Sequence, residues 1–181
     1  MHITLVRHFR VDHDKPARFM SSEEFETWVN HYDGADIIQP EGLSMMDFEM
    51  CLSSDLPRAR DTARELCSCP VTETPLLREV PLVPFFRTAM KLPFPLWNAG
   101  GRLLWFFTQK FQPEPIKQTV RRAEDCIAML ESAGKNNILV VSHGFFLMVL
   151  AICLEKRGYT GKKTRRFKHG EMVFYKKEGK R

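Results

Sequence analysis

Four short stretches of this chain carry side chains able to move a phosphoryl group. Arg7-His8 ends an apolar run, Ser53-Ser54-Asp55-Leu56-Pro57-Arg58-Ala59 leads into a helical pattern, Glu79 stands in Leu-Leu-Arg-Glu, and Ser142-His143-Gly144 closes a later apolar run. Displacement at phosphorus without a metal ion needs a nucleophile, cationic donors around three equatorial oxygens and a proton source for the leaving group. A neutral imidazole can attack phosphorus and hold the group covalently, the role assigned to His8. Arg7 and Arg58 offer guanidinium forks that match phosphate oxygens and stay charged at working pH, and Pro57-Arg58 opens a helix, a favourable anion position. His143, protonated beside the phosphate, would donate to an equatorial oxygen, and Gly144 lets backbone approach the ligand. Glu79 is the candidate acid that protonates the leaving oxygen and later draws a proton from water. Taken singly, each residue is more often structural, as a strand-end histidine or a surface ion pair. Complementary roles on four separate segments are what point to a phosphoryl site.

Those segments need elements to deliver them. Residues 2–7 run apolar like a buried strand, and Leu56, Ala59, Ala63 and Leu66 recur at helical spacing over 56–67, with a polar loop region expected between the two. Residues 71–74 and 137–142 read as further strands, and 119–133 and 145–156 as helices. Continuous apolar strands alternating with helices predict an α/β fold, a mostly parallel central sheet covered on both faces. Ligands in such sheets bind beyond the carboxyl ends of strands, where the loops beginning at Arg7 and Ser142 both fall.

With 181 residues, 44% hydrophobic and 27% charged, the chain suits a single domain spanning 1–181. The net charge of +5 favours anionic partners. Much of the excess lies late, in Lys162, Lys163, Arg165, Arg166 and Lys168 and then Lys176, Lys177, Lys180 and Arg181, which reads first as solvated surface. No nucleic-acid motif accompanies it and no aromatics interleave with it, so no nucleic acid is expected as a partner. The N-terminus opens as a strand rather than a signal segment, which makes a cytoplasmic location the default expectation. Five cysteines with only one close pair, Cys67-Ser68-Cys69, read as reduced thiols, and no metal or other cofactor is called for. Residues 81–111 crowd Phe85, Phe86, Phe94, Trp97, Trp105, Phe106, Phe107 and Phe111 among prolines; Arg87, Lys91 and Arg102 interrupt the run, so no transmembrane span is expected. A folded flap or lid packed on the sheet is the first reading of this segment. An apolar substrate pocket, with loose membrane-surface association through Trp97 and Trp105, is the alternative.

With these residues in place, the chain resembles the histidine phosphatase superfamily, the phosphoglycerate-mutase-like proteins, in the branch with a Leu-Val-Arg-His start. Ser-Ser-Asp-Leu-Pro-Arg-Ala-Arg-Asp-Thr-Ala is its most specific stretch, and the likeness runs over nearly the whole length. The resemblance implies a three-layer α/β/α fold and metal-independent hydrolysis of phosphate monoesters. It also implies His8 as phosphorylated nucleophile, Arg7, Arg58 and His143 as phosphate pocket, and Glu79 as proton donor. The expected partner is a phosphorylated small molecule, with an apolar moiety if the aromatic segment lines the pocket. Four features depart from the family's pattern. Phe9 stands where Gly is usual and is expected to alter the loop or set a ring against the substrate. Arg10 replaces an acidic or amide residue and is a further candidate substrate contact. Asp14 falls near an expected Asn and should repel phosphate. The helix after Glu41-Gly42-Leu43 looks shortened. Two alternatives therefore stand beside the phosphatase reading: a protein phosphohistidine phosphatase, and a catalytically weak phosphoryl-binding regulator.

Overall fold

The apolar runs that flank the motifs form the middle of one sheet. In the computed structural model, which describes residues 1–107 and 113–178, β1 (His2–Arg7) lies parallel to β6 (Asn137–Ser142). Next to β6 comes β3 (Met50–Ser54), and next to that β4 (Val71–Thr74), all parallel. The other edge is antiparallel: β8 (Met172–Lys176) pairs with β1, and the short β7 (Thr160–Gly161) pairs with β8. The six-stranded order is β4-β3-β6-β1-β8-β7. A second, two-stranded ribbon joins β2 (Phe19–Met20) to β5 (Leu92–Pro93). Of the residues named above, Phe111, Lys180 and Arg181 lie outside the described residues.

Alternation along the central strands sorts side chains to two faces. Ile3, Leu5, Leu52, Ile138 and Val140 pack on one face against α4 (Ile116–Ser132) and α5 (Gly144–Lys156) through Ile127, Leu130, Phe146 and Leu150. Val6, Cys51, Leu139 and Val141 pack on the other against Ala59, Ala63 and Leu66 of α2 (Pro57–Leu66). The result is the three-layer α/β/α arrangement with a mostly parallel sheet. Helix α4 starts three residues earlier than its periodicity indicates, with Pro115 as its N-cap.

The polar loop expected between the first two motifs is not all loop. Ser22–Gly34 form helix α1, started by a capping box: the Ser21 hydroxyl accepts from Glu24 N–H while the Glu24 carboxylate accepts from Ser21 N–H. Only Ser22 and Phe25 are buried on this helix, so its apolar stripe is too thin to read as a helical period. Residues 35–49 contain no helix, so the segment expected to be shortened is absent.

The described part of the aromatic segment packs against α1 and β2. After a non-helical stretch it pairs β5 with β2 and continues into α3 (Phe94–Phe107). Among its described residues Trp97, Gly101 and Trp105 are buried, the two tryptophans at 0% and 1% exposure. Trp97 stacks on Phe25 of α1 and donates its indole N–H to Met20 O at 2.8 Å. The expectation that these two tryptophans contact a membrane surface is therefore corrected: both rings face inward, because the stripe 97, 101, 105 is the one that meets the body of the protein. Among the described residues, no helix is long and apolar enough to cross a membrane.

Candidate active site

Three of the four motifs end parallel strands on the same side of the sheet. Arg7 closes β1, Ser142 closes β6 beside it in register, and β3 ends at Ser54 just before α2. His8 and His143 thus become neighbours, with ring centroids 5.1 Å apart, and Arg58 in the first turn of α2 reaches them from the next strand over. Glu79 arrives by long-range bonds. Ser142 Oγ donates to Leu77 O at 2.6 Å, and Arg122 of α4 donates to the carbonyls of Leu76 and Arg78 at 3.0 and 2.7 Å.

His8 is 2% exposed. Its Nδ1 lies 2.6 Å from Phe9 O, and since a carbonyl can only accept, Nδ1 carries the ring proton. Nε2 is then unprotonated, and its lone pair accepts from Arg58 Nε at 3.3 Å. Burial, with the Arg58 and Arg7 guanidinium groups and His169 close by, holds the His8 pKa well below the usual histidine range, so the ring is neutral.

His143 is fully buried, and neither ring nitrogen has a hydrogen-bond partner among the described residues. Burial first, then Arg58, His8 and Arg7, pushes its pKa well down, so without phosphate it is neutral rather than protonated. Arg7 spends one Nη on Phe167 O at 3.0 Å and leaves Nε buried and unpartnered. A Cβ on Gly144 would lie 3.4 Å from the Arg7 guanidinium, an ordinary contact, which places the start of α5 directly against that fork. Buried polar groups are nearly always paired, and a cluster of buried orphans at one spot marks a place for a ligand rich in acceptors.

Arg58 is clamped more tightly than a free fork. Its Nη atoms bond Asp33 at the end of α1, Oδ1 at 3.0 Å and the backbone O at 2.9 Å, which aims Nε at His8. Burial raises the Asp33 pKa against the pull of Arg58. Glu79 takes the place of a side-chain cap on α5: Oε1 accepts from Val80 and Phe146 N–H at 2.9 and 3.0 Å, and Oε2 from Phe145 N–H at 3.3 Å. Protonation on Oε2 gives up only the longest of the three bonds.

A cavity of about 850 Å³ is lined by Arg7, His8, Arg58, Glu79 and Gly144 and walled by α3 through Phe94, Asn98 and Arg102, while the fully buried His143 lies behind His8, off the lining. Phe145, Met148 and Trp28 add apolar wall. That volume holds a phosphate together with a sizeable leaving group.

Three of the departures, Phe9, Asp14 and Arg10, lie off the cavity lining. Phe9 is 3% exposed and packs with Val6, Ala59, Ala63 and Leu66, away from the cavity; its N–H donates to Thr62 Oγ1 at 2.9 Å. No non-glycine residue among those described has positive φ, so the backbone at 9 makes no demand for glycine. Asp14 is exposed outside the cavity lining, its carbonyl accepting from Trp28 Nε1. Arg10 is likewise exposed and off the lining, though its charge reaches His169.

Sequence reasoning passed over three residues here. His169 donates from Nδ1 to His8 O at 3.1 Å, with its ring 5.0 Å from that of His8. Asp33 orients Arg58, and Arg102 stacks 3.9 Å over Phe145 with its Nε buried and unpartnered. Only the capping box of α1 offered a local signal, for Asp33. The five cysteines are free thiols. No group of three or more metal-ligating side chains occurs among the described residues.

The site thus sets a strand-end histidine with an unprotonated Nε2 among orphaned arginine and histidine nitrogens on an α/β/α sheet. The sequence profile of the histidine phosphatase superfamily, branch 1, matches residues 3–176, and the chain belongs to that superfamily. A comparison with curated protein sequences finds no match. Among solved structures, a mycobacterial hydrolase is similar with TM-score 0.58 at 21% identity, over 86% of this chain and 78% of that one. The α-ribazole phosphatase of Shigella flexneri is similar with TM-score 0.51 at 23% identity, over 96% of each chain. Phosphoserine phosphatase from Entamoeba histolytica gives TM-score 0.54 at 16% identity, over 86% of this chain and 80% of that one. Likeness at these identities speaks for the fold.

Proposed function

We propose that the protein hydrolyses phosphate monoesters of small molecules, without a metal ion, through a phosphohistidine on Nε2 of His8. The observation that carries this reading is an unprotonated His8 Nε2, held by Arg58, in one cluster with the unpartnered nitrogens of Arg7 and His143. The phosphate oxygens take up Arg7 Nε, Arg58 Nε and a ring N–H of His143. Nε2 attacks phosphorus, the bond to the ester oxygen breaks on the opposite side, and that oxygen takes the proton of Glu79 Oε2. As positive charge grows on the ring, the Nδ1–H bond to Phe9 O strengthens. Water then attacks phosphorus, gives a proton back to Glu79, and the P–N bond breaks to release inorganic phosphate and neutral His8.

The side chains that supply positive charge here, Arg7, Arg58 and Arg102, take the part a metal ion plays in other phosphatases. Substrate phosphate also offers His143 a countercharge, the condition under which that ring takes up a proton. The regulator alternative drew on Phe9 and Asp14, and both point away from the cavity. Glu79 on the cavity wall favours ester over phosphohistidine hydrolysis, because an alkoxide needs a proton to leave.

The test is turnover of para-nitrophenyl phosphate with excess chelator, with a rapid acid quench for protein-bound phosphate. Chelator-resistant release that vanishes with the phosphoprotein in His8→Ala supports the mechanism. Undiminished turnover in His8→Ala overturns it.

A further inference from the structure

Helix α3 is apolar on both faces. Inward it buries Trp97, Gly101 and Trp105; outward it exposes Leu96, Leu103, Phe106 and Phe107, at 47%, 59%, 46% and 79%. Ala99, between them on the outer face, is exposed too. The one charged residue of the helix, Arg102, lines the cavity, so no charge interrupts the outer stripe. Soluble surfaces rarely leave a contiguous stripe of this kind bare, and one that persists marks an interface.

What covers it is indicated by the charge beside it. Arg165 and Arg166 line the same cavity as Asn98 and Arg102 of α3, so the basic loop and the helix border one cavity. Residues 162–171 carry five Lys or Arg against a single acid, Glu171, and Lys162, Lys163, Arg165, Arg166 and Lys168 are all exposed. Glu171 pairs with Lys162 and Glu155 with Arg165, leaving Lys163, Arg166 and Lys168 in excess. A second copy of the chain, related by a two-fold axis through this face, would set like charges near one another. An anionic bilayer suits both halves of the pattern, with headgroups for the cations and acyl chains for the apolar stripe. At 14 residues α3 is about 21 Å long, too short to span the hydrocarbon core and suited to lying in its surface.

We propose that the outer face of α3 and the basic loop 162–168 together form a docking surface for membranes bearing anionic headgroups. The surface stands on its own, whether or not the cavity hydrolyses phosphate esters.

Sedimentation of the full chain with vesicles of phosphatidylcholine, with and without phosphatidylglycerol, tests it without any catalytic readout. The chain is expected to co-sediment with the anionic vesicles and far less with the neutral ones. Leu103→Ser and Phe107→Ser leave the charge untouched and should each weaken partitioning on the order of tenfold. Lys163→Glu and Lys168→Glu should weaken it in a salt-dependent way. Thermal melts verify that each variant is folded. Serine variants that bind like the parent would reduce the effect to nonspecific attraction of a basic protein and overturn the proposal. Absence of vesicle binding overturns it as well, as does a concentration-dependent dimer abolished by Phe107→Ser, which would make the face a protein interface.

Discussion

Phe9→Gly restores the residue usual in this superfamily, and the structure predicts damage rather than rescue. The ring is 3% exposed among Val6, Ala59, Ala63 and Leu66, and its Cδ1 would lie 3.2 Å from a Cβ built on Gly170, so it fills the space between α2 and the turn before β8. Removing a buried phenyl ring costs about 3–5 kcal/mol, the upper part where neighbours cannot close the void. Glycine adds roughly 0.5–1 kcal/mol of backbone entropy, giving about 3.5–6 kcal/mol in all. In a chain of this size that lowers Tm by about 7–24 °C. The catalytic geometry should survive, since His8 bonds the Phe9 carbonyl, a backbone group that glycine keeps. Calorimetry and para-nitrophenyl phosphate kinetics at low temperature measure the two effects separately. A Tm loss below about 3 °C, or a rise in kcat/KM beyond about tenfold, would refute the reasoning, the second by placing the ring over the substrate after all.

Glu79→Gln keeps a carbonyl oxygen for the α5 N–H groups but removes the proton; hydrolysis of alkyl phosphates should fall about 10²–10⁴-fold and that of para-nitrophenyl phosphate much less, and equal losses would remove Glu79 from the acid role. His8→Ala should lower turnover by at least about 10³-fold with the fold intact by circular dichroism. His8 and His143 have folded pKa values below the ordinary value of about 6.5, so below that pH the unfolded chain binds protons the folded one does not. Stability should thus fall as pH drops beneath about 6.5, by up to about 1.4 kcal/mol per histidine per pH unit, and hold steady above it for these two groups. Urea midpoints from pH 7 to 5, flat in this window, would contradict the neutral assignment. Arg102→Met removes a guanidinium whose pKa burial already lowers, so Tm should stay or rise while inhibition by inorganic phosphate weakens; unchanged inhibition would leave Arg102 without a part in anion binding.

Much of this protein is legible in its residues because the signals are local. Apolar runs at 2–7 and 137–142, helical spacing over 56–67 and 145–156, and the four chemistry-bearing segments are short-range patterns, and they bring His8, Arg7, Arg58 and His143 to strand ends and helix starts where an α/β sheet gathers ligands. Other features are settled by contacts between distant parts of the chain. Helix α1 buries too little to show a period, yet its Asp33 aims Arg58 across 25 residues. Glu79 caps a helix 66 residues downstream, and His169 reaches His8 across 161. Phe9 could turn toward ligand or core, and the space between α2 and the sheet decides for the core. Trp97 and Trp105 share their helix with Leu103 and Phe107, and which stripe faces inward follows from where β2 and α1 stand. Sequence alone determined the chemistry on offer and the strands that carry it, since both rest on residue type and spacing. Tertiary structure decided which donors are left unpaired, which nitrogen of His8 is unprotonated and which apolar face meets solvent, because each depends on neighbours brought together only by folding.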